Sequence, residues 1–371
     1  MKYRLADPVI DEIQLEGVRE VLLSKQLVHG QYCNQFESDL ADYLGVDNSQ
    51  VAVTSSCTAS LHLALLALGI GPGDVVIVPN FTFPATVNVV EVVGATPLFV
   101  DVNENHYVVT PEGIQEAYES YSNKTNIKAI IIVHEFGATA DMARIGAFAK
   151  EKGFWVIEDA ACAFGSSIEG KKVGLLSDIG CYSFHPRKAL TTGEGGAIVA
   201  NDSGIIERCK VLRNHGMQAI DGKIDFVMPG LNYRMTNFQA VLGIEQLKHF
   251  DDWVEIRKSL QVRYREKITS QKVIHPEDQQ GHTWQSYMIV LDASIHRDEL
   301  ILALRQEGVE TNYGAYAVLS TQYYKERYGS AYTGKMRVSE HLYKHGLCLP
   351  LHQKMTLEDV DVIAEILNTY L

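Results

Sequence analysis

The sequence predicts an α/β protein with a large domain on a doubly wound, mostly parallel sheet and a smaller C-terminal α/β domain. Three observations carry this. From about residue 50 to 200, short β-branched runs alternate with amphipathic stretches. The runs are apolar along their whole length, as strands covered on both faces are. Beyond about residue 245 the texture changes to a long charged helix followed by shorter elements.

Taken in order, Val51 to Thr54 reads as a strand and Ala59 to Leu68 as a helix. Val75 to Val78 is a strand, with a helix near Thr86 to Val93. Thr96 to Val100 precedes a helix near Glu112 to Tyr118, and Ile127 to Val133 precedes one near Ala143 to Lys150. Phe154 to Ile157, Ile179 to Phe184 and Ala197 to Ala200 complete the large domain's strands. In the C-terminal part, one helix is expected over Ile244 to Lys267, a strand over Tyr287 to Leu291, a helix over Arg297 to Glu307 and a strand near Val309 to Tyr313. The last helix begins at Thr356, whose spacing to Asp359 suits a capping box. This divides the chain into an N-terminal segment (1–25) packing near the small domain or the active-site rim, a large domain (26–245) and a small domain (246–371).

Composition narrows the function. Of 371 residues, 46% are hydrophobic and 21% charged, a soluble globular balance. No apolar run approaches the roughly 20 residues of a membrane span, and acidic residues interrupt the N-terminus where a signal peptide would be apolar. A cytoplasmic protein without a membrane partner is expected. The net charge of −13 argues against nucleic acid as a partner. Six cysteines form no C-x-x-C pair, which argues for reduced thiols and against a disulfide framework or a metal site.

Ligands of doubly wound sheets bind where strands end, and four such ends hold polar or aromatic residues. Glu158-Asp159 closes one strand; Asp159 either caps the next helix or points a carboxylate into the crevice, where it would hold a pyridine nitrogen protonated. Lys188 follows the strand ending in Ser183-Phe184 and precedes the glycine-rich stretch Thr191-Thr192-Gly193-Glu194-Gly195-Gly196. Most lysines are solvated surface residues, but this place can bring an amine near an interior cofactor, and desolvation there is expected to lower its pKa and free the nucleophile. Ser183 is close enough in sequence to offer a hydroxyl to a phosphate. Ser55 to Ser60 marks a strand-to-helix junction, a cap and also an anion seat. Phe83 is either core or a platform for a planar ring. Together the four ends describe one pocket for pyridoxal 5′-phosphate, with Lys188 as the Schiff-base lysine.

At this point the sequence resembles the DegT/DnrJ/EryC1/StrS family of sugar aminotransferases, whose fold is the type I pyridoxal-phosphate transferase. The phrases that carry it span nearly the whole chain: HLALLALGIGPGD, VIVPNFTFPAT, VIEDAACAFG, DIGCYSFHPRKALTTGEGGAIVAND, LRNHG, GLNYRMTNFQAVLG and LCLPLH. The resemblance implies that Lys188 carries the cofactor and shuttles the proton, Asp159 pairs with the pyridinium and Phe83 stacks on the ring. It implies that Thr58, Ala59 and Ser183 hold the phosphate, and that Asn232 reaches the phosphate of a second subunit, so a homodimer shares its active sites. Arg234 matches a residue on the substrate side of that interface. Two positions depart from the pattern: Cys57 stands where the family usually has glycine, and Cys162 where it usually has glutamine near the ring's hydroxyl edge. A thiol bonds less well there. Lys188 separates the chain from relatives with histidine at that position, which carry out dehydration-type chemistry.

The activity implied is transfer of an amino group from L-glutamate to a nucleotide-linked keto sugar, a 4-keto-6-deoxyhexose or a 3-keto hexose. A cyclitol or other antibiotic-pathway ketone is the alternative acceptor. Gly30, His134, His185 and Tyr313, with Arg234, are the candidate substrate-binding residues that would discriminate the two. A third alternative, a non-catalytic regulator on the same fold, meets an acidic chain with no appended DNA-binding region.

Overall fold

The computed structural model describes residues 1–371. A seven-stranded sheet forms its centre: β1 (Val51–Thr54), β2 (Val75–Pro79), β3 (Thr96–Val100), β4 (Ile127–Val133), β5 (Trp155–Asp159), β6 (Ile179–Ser183) and β7 (Gly196–Ala200). Their spatial order is β1-β7-β6-β5-β4-β2-β3. The pairs from β6 through β3 are parallel, whereas β7 runs antiparallel to both its neighbours, β6 and β1. β6 and β7 are joined by the loop that carries Lys188, which crosses the end of the sheet directly without a helix, so β7 returns antiparallel.

The all-apolar strand runs have the expected cause. One face of the sheet packs Val76, Val78, Ile131, Ile157 and Ile198 against the helices Cys57–Ala67, Ala85–Val92 and Ser203–Leu212. The other face packs Ile77, Val100, Ile130 and Ile132 against Ile114, Ile145 and Ala149 of two further helices. Cys57–Ala67 starts two residues earlier than expected because Ser56 caps it, its Oγ accepting from the Ala59 N–H at 3.1 Å.

Two C-terminal expectations are corrected. The single helix over 244–267 is two, Asn237–Leu247 and Phe250–Lys267, separated at Lys248 and His249. His249 leaves helical geometry (φ −109°, ψ 1°). The new helix then buries Phe250 and Trp253, with Asp251 and Asp252 suited to its N-terminal dipole. The strand near 309–313 is not formed. Val309 bridges Tyr3 and Asn312 bridges Cys348, so the segment meets different partners at its two ends and builds no ladder. The small sheet consists instead of Val273–Ile274, Tyr287–Leu291 and Gly346–Leu349, all antiparallel. The capping box at Thr356 and Asp359 is present.

Residues 2–5 hydrogen-bond to Gly308 and Glu310, while helix Glu12–Ser24 lies on helix Asn237–Leu247, where a Cβ at Gly17 would meet Val241 Cγ1 at 2.4 Å. Met288, Val290, Leu342 and Cys348 share a core with β2 and β4, so the C-terminal layer is packed firmly on the large sheet.

Candidate active site

Parallel order and register bring the strand ends to one edge of the sheet. Thr54 lies opposite Gly196 and Gly196 opposite Ser183; Cys181 is level with Asp159, and Asp159 with Val133. A side chain on Gly196 would meet Ser56 and Cys57 backbone atoms at 2.5–2.6 Å, so glycine there lets helix Cys57–Ala67 start against the sheet end.

Asp159 sits in the middle of this edge, 4% exposed. Its Oδ2 accepts from Thr86 Oγ1 at 2.8 Å and its Oδ1 from the Ala161 N–H at 3.1 Å, with Cys57 Sγ at 3.9 Å. Burial raises its pKa, against the opposing pull of those two bonds and of the Lys188 charge. It forms no ion pair within the chain, so a buried carboxylate here lacks the cation that would repay its desolvation.

Lys188 is partly buried. Its Nζ donates to Cys162 Sγ at 3.0 Å. The expected downward shift of its pKa is not found. Burial does act downward, but Cys162, Glu135 and Cys57 outweigh it and the net shift is upward. Cys162 is the largest of these upward causes, and Glu135 adds to it. Glu135 is 4% exposed, two residues beyond β4, and burial raises its carboxyl to about 7 even with Lys188 drawing it down. Burial likewise lifts the Cys162 thiol to about 11, so at neutral pH it is a thiol.

The loop around Lys188 is clamped from the C-terminal part of the chain. The Ala189 N–H donates to Gln285 Oε1 at 3.0 Å, Gln285 Nε2 donates to the Arg187 carbonyl at 2.7 Å, and Gln353 Nε2 reaches the Ala189 carbonyl at 3.4 Å. Arg257, 2% exposed, holds both glutamines through the Gln285 carbonyl (3.1 Å) and Gln353 Oε1 (3.1 Å), and also binds the Trp284 and Leu351 carbonyls.

The other predicted residues fall into three groups. Thr58 is exposed at the helix N-terminus, Ala59 is buried with its N–H on Ser56, and Ser183 opens on the cavity lined by Lys188, Ala161 and Gln285. Phe83 is 65% exposed and meets Tyr316 edge-on at 6.2 Å, and Tyr316 in turn shares a 3.1 Å hydroxyl contact with Tyr313. His185 lies in the loop before Lys188, and its Nδ1 accepts from the Arg187 N–H. Gly30, Asn232 and Arg234 lie on the second group of elements. Gly30 precedes helix Gln31–Leu44, where a Cβ would press on Asn237 at 2.9 Å; Asn232 is exposed and bridges Asn214, whose side chain binds Arg234. His134 stands apart. It is fully buried, its Nε2 on Glu158 at 3.1 Å and its Nδ1 accepting from the Ala140 N–H, so it is a strut beneath Asp159 with no ring nitrogen left for a substrate. Glu158 is itself saturated by Gly174 and Ser177.

The donor set suits pyridoxal phosphate. A buried carboxylate without a cation fits a protonated pyridine nitrogen, an exposed phenyl fits a planar ring, and an eleven-residue helix with exposed Thr58 at its start fits a phosphate.

Comparison with known proteins agrees. Residues 8–368 match the model of the DegT/DnrJ/EryC1/StrS aminotransferase family. GDP-perosamine synthase of Escherichia coli O157:H7 is 36% identical over 374 residues, covering 100% of this chain and 99% of its own. Helicobacter pylori PseC, an aminotransferase involved in the biosynthesis of pseudoaminic acid, superposes with a TM-score of 0.92 at 26% identity, over 100% of this chain and 99% of that one. Streptococcus pneumoniae Spr1654, solved in its PMP-form, superposes with a TM-score of 0.92 at 26% identity, over 100% and 98%. The chain belongs to the DegT/DnrJ/EryC1/StrS aminotransferase family.

Proposed function

We propose that this aminotransferase moves the amino group of L-glutamate to a nucleotide-linked keto sugar, a 4-keto-6-deoxyhexose, using pyridoxal phosphate attached to Lys188. The observation that carries the reading is the buried Asp159 carboxylate, which has no ion-pair partner, beside the partly buried Lys188 held on Cys162 Sγ, three residues beyond Asp159. The naming of a full-length relative as GDP-perosamine synthase favours a nucleotide-sugar acceptor.

When bound, the cofactor supplies an electron sink for breaking a bond at the amino carbon. Asp159, fixed by Thr86 and Ala161, would hold the positive charge of a ring nitrogen. The exposed Phe83 would offer its face to the ring. Thr58, the start of helix Cys57–Ala67 and Ser183 would hold the phosphate. Lys188 would carry the proton as base and then acid, over a range limited by the loop that Gln285 clamps. Tyr313, His185, Gly30 and Arg234 bound the acceptor side.

The reading includes a homodimer with shared sites. The hairpin Met217–Ile220/Lys223–Phe226 projects with Ile224 73% and Phe226 66% exposed, beside the segment holding Asn232 and Arg234. Such apolar exposure calls for a covering surface, and a second copy would bring Asn232 to the partner's phosphate seat. No helix is long and apolar enough to cross a membrane.

The test is the purified protein with pyridoxal phosphate, L-glutamate and a panel of nucleotide-linked keto sugars and cyclitol ketones, with the amine product read by mass spectrometry. An aminated nucleotide sugar is expected. An aminated cyclitol alone would reassign the acceptor, and no amine from any pairing with cofactor bound would overturn the reading.

A further inference from the structure

Phe83 is read as the platform for a planar ring, yet its own side chain is 65% exposed. A phenyl that free samples several rotamers, whereas a platform needs one. The backbone around it is well fixed. Phe83 lies in the turn between Thr82 and Thr86, whose hydroxyls meet at 3.1 Å, and Thr86 carries the contact on to Asp159 at 2.8 Å. The ring itself has one aromatic neighbour, Tyr316, met edge-on at 6.2 Å with 66° between the planes.

Tyr316 reaches this point because a segment distant in sequence is laid along residues 80–82. Tyr316 pairs with Thr82 and Ala317 with Phe81 in a short antiparallel ladder. The next two N–H groups, of Val318 and Leu319, donate to the buried Asn80, to its carbonyl at 2.8 Å and its Oδ1 at 2.9 Å. Upstream, Gly314 takes left-handed geometry (φ 76°), and a Cβ there would meet Met288 Sδ at 2.7 Å, so glycine lets the chain turn onto this edge.

The Tyr316 ring is held by further groups. Its hydroxyl meets that of Tyr313 at 3.1 Å, and the Tyr343 ring packs on both, 5.8 Å from Tyr316 and 5.7 Å from Tyr313 between centroids. The Arg297 guanidinium lies 5.3 Å over the Tyr313 ring and 5.9 Å over the Tyr343 ring, and it donates to the Tyr343 carbonyl. Arg297 opens its helix, where a cation opposes the dipole. Its side chain is nevertheless only 11% exposed, with Asp298 taking part of the charge at 2.8 Å and the tyrosine rings the rest of its surroundings. Three tyrosines and an arginine thus form a braced wall, and its Tyr316 ring meets Phe83.

We propose that Tyr316 is a positioning residue for Phe83: braced by Tyr313, Tyr343 and Arg297, its ring fixes the tilt of the phenyl on which the cofactor ring lies. This rests on the reading of Phe83 as that platform.

The test uses the full-length apoprotein and pyridoxal phosphate. Absorbance titration gives the dissociation constant, and the visible circular dichroism of the bound chromophore is recorded alongside. Phe83→Leu is expected to weaken binding. Unchanged affinity there would remove Phe83 from the ring and the role of Tyr316 with it, whereas a wild type that binds no cofactor overturns the aminotransferase reading itself. Tyr316→Ala is expected to weaken binding by about two- to tenfold, the worth of one edge-on aromatic contact, and to alter the circular dichroism. In the Phe83→Leu background the same substitution is expected to cost nothing more, because the contact it removes is already gone. Tyr316→Phe keeps the edge and gives up only the Tyr313 hydroxyl, so it is expected to bind close to wild type. Should Tyr316→Ala not fold, Arg297→Met loosens the wall from behind and is read in the same cycle, with a smaller loss that also vanishes without Phe83. Equal losses with and without Phe83 would refute the positioning role and leave the aminotransferase reading standing, as would affinity and circular dichroism unmoved by the folded variants of the wall.

Discussion

Arg257→Met isolates how the C-terminal part of the chain holds the lysine loop. Arg257 donates through Nη1 to the carbonyls of Trp284 (3.2 Å), Gln285 (3.1 Å) and Leu351 (2.9 Å), and through Nη2 to Gln353 Oε1 (3.1 Å). Burial lowers its pKa to about 10, so it remains a cation at neutral pH. Methionine approximates the stem's volume and keeps its apolar contacts, so little of the loss is cavity. What remains is four buried acceptors deprived of a charged donor. Leaving one such group unpaired costs about 1–3 kcal/mol. Carbonyls keep a second lone pair and a polar floor admits water, so the total is expected at about 3–5 kcal/mol rather than the full sum. The functional effect follows from geometry: Gln285 and Gln353 lose their brace, and the Arg187 and Ala189 contacts on either side of Lys188 slacken. Urea unfolding of the purified apoprotein gives the stability, and retention of the bound chromophore on dialysis gives the second effect. A loss below about 1 kcal/mol with unchanged retention would refute the brace.

Other outcomes follow from the same contacts. Glu135, raised from 4.5 in the unfolded chain to about 7 in the fold, loses its proton more readily when unfolded, so its contribution is favourable below the unfolded pKa and declines as pH rises to about 7. Glu135→Gln is therefore expected to stabilise the apoprotein by roughly 3 kcal/mol at about pH 8, with no gain below about pH 4, by chemical denaturation; equal gain at both pH values would contradict the shift. Asp159→Asn keeps the Thr86 contact but not the charge, and is expected to lower turnover by about 10²-fold or more with the protein folded; unaltered turnover would remove Asp159 from the site. Ile224→Glu with Phe226→Glu is expected to halve the mass measured by light scattering, whereas an unchanged mass would place the subunit contact elsewhere.

Much of the fold was legible because it is written in local pattern. β-branched runs such as Ile127–Val133 are strands whichever neighbours they find, and Thr356 with Asp359 caps its helix by adjacency alone. Long-range contacts were not legible in this way. Nothing local marks Val309 to Tyr313 as failing to pair, because its partners are Tyr3 and Cys348, far away in sequence. The break at His249 depends on burying Phe250 and Trp253 on elements that periodicity does not identify. At the site, Lys188, Asp159, Ser183 and the Thr58 turn are marked by their places at strand ends. Gln285, Gln353 and Arg257 carry no such mark, since ordinary polar residues become clamps only through packing. Glu135 did carry one, an acid two residues beyond an apolar strand, but His134 beside it drew the substrate role and has both nitrogens occupied.

The most direct measurement is the position of the covalent link. Holoenzyme reduced with borohydride, digested and mapped is predicted to carry the pyridoxyl group on Lys188, and Lys188→Ala is predicted to lose both the adduct and the chromophore's absorbance. An adduct on another lysine, or one that persists in Lys188→Ala, would contradict the account.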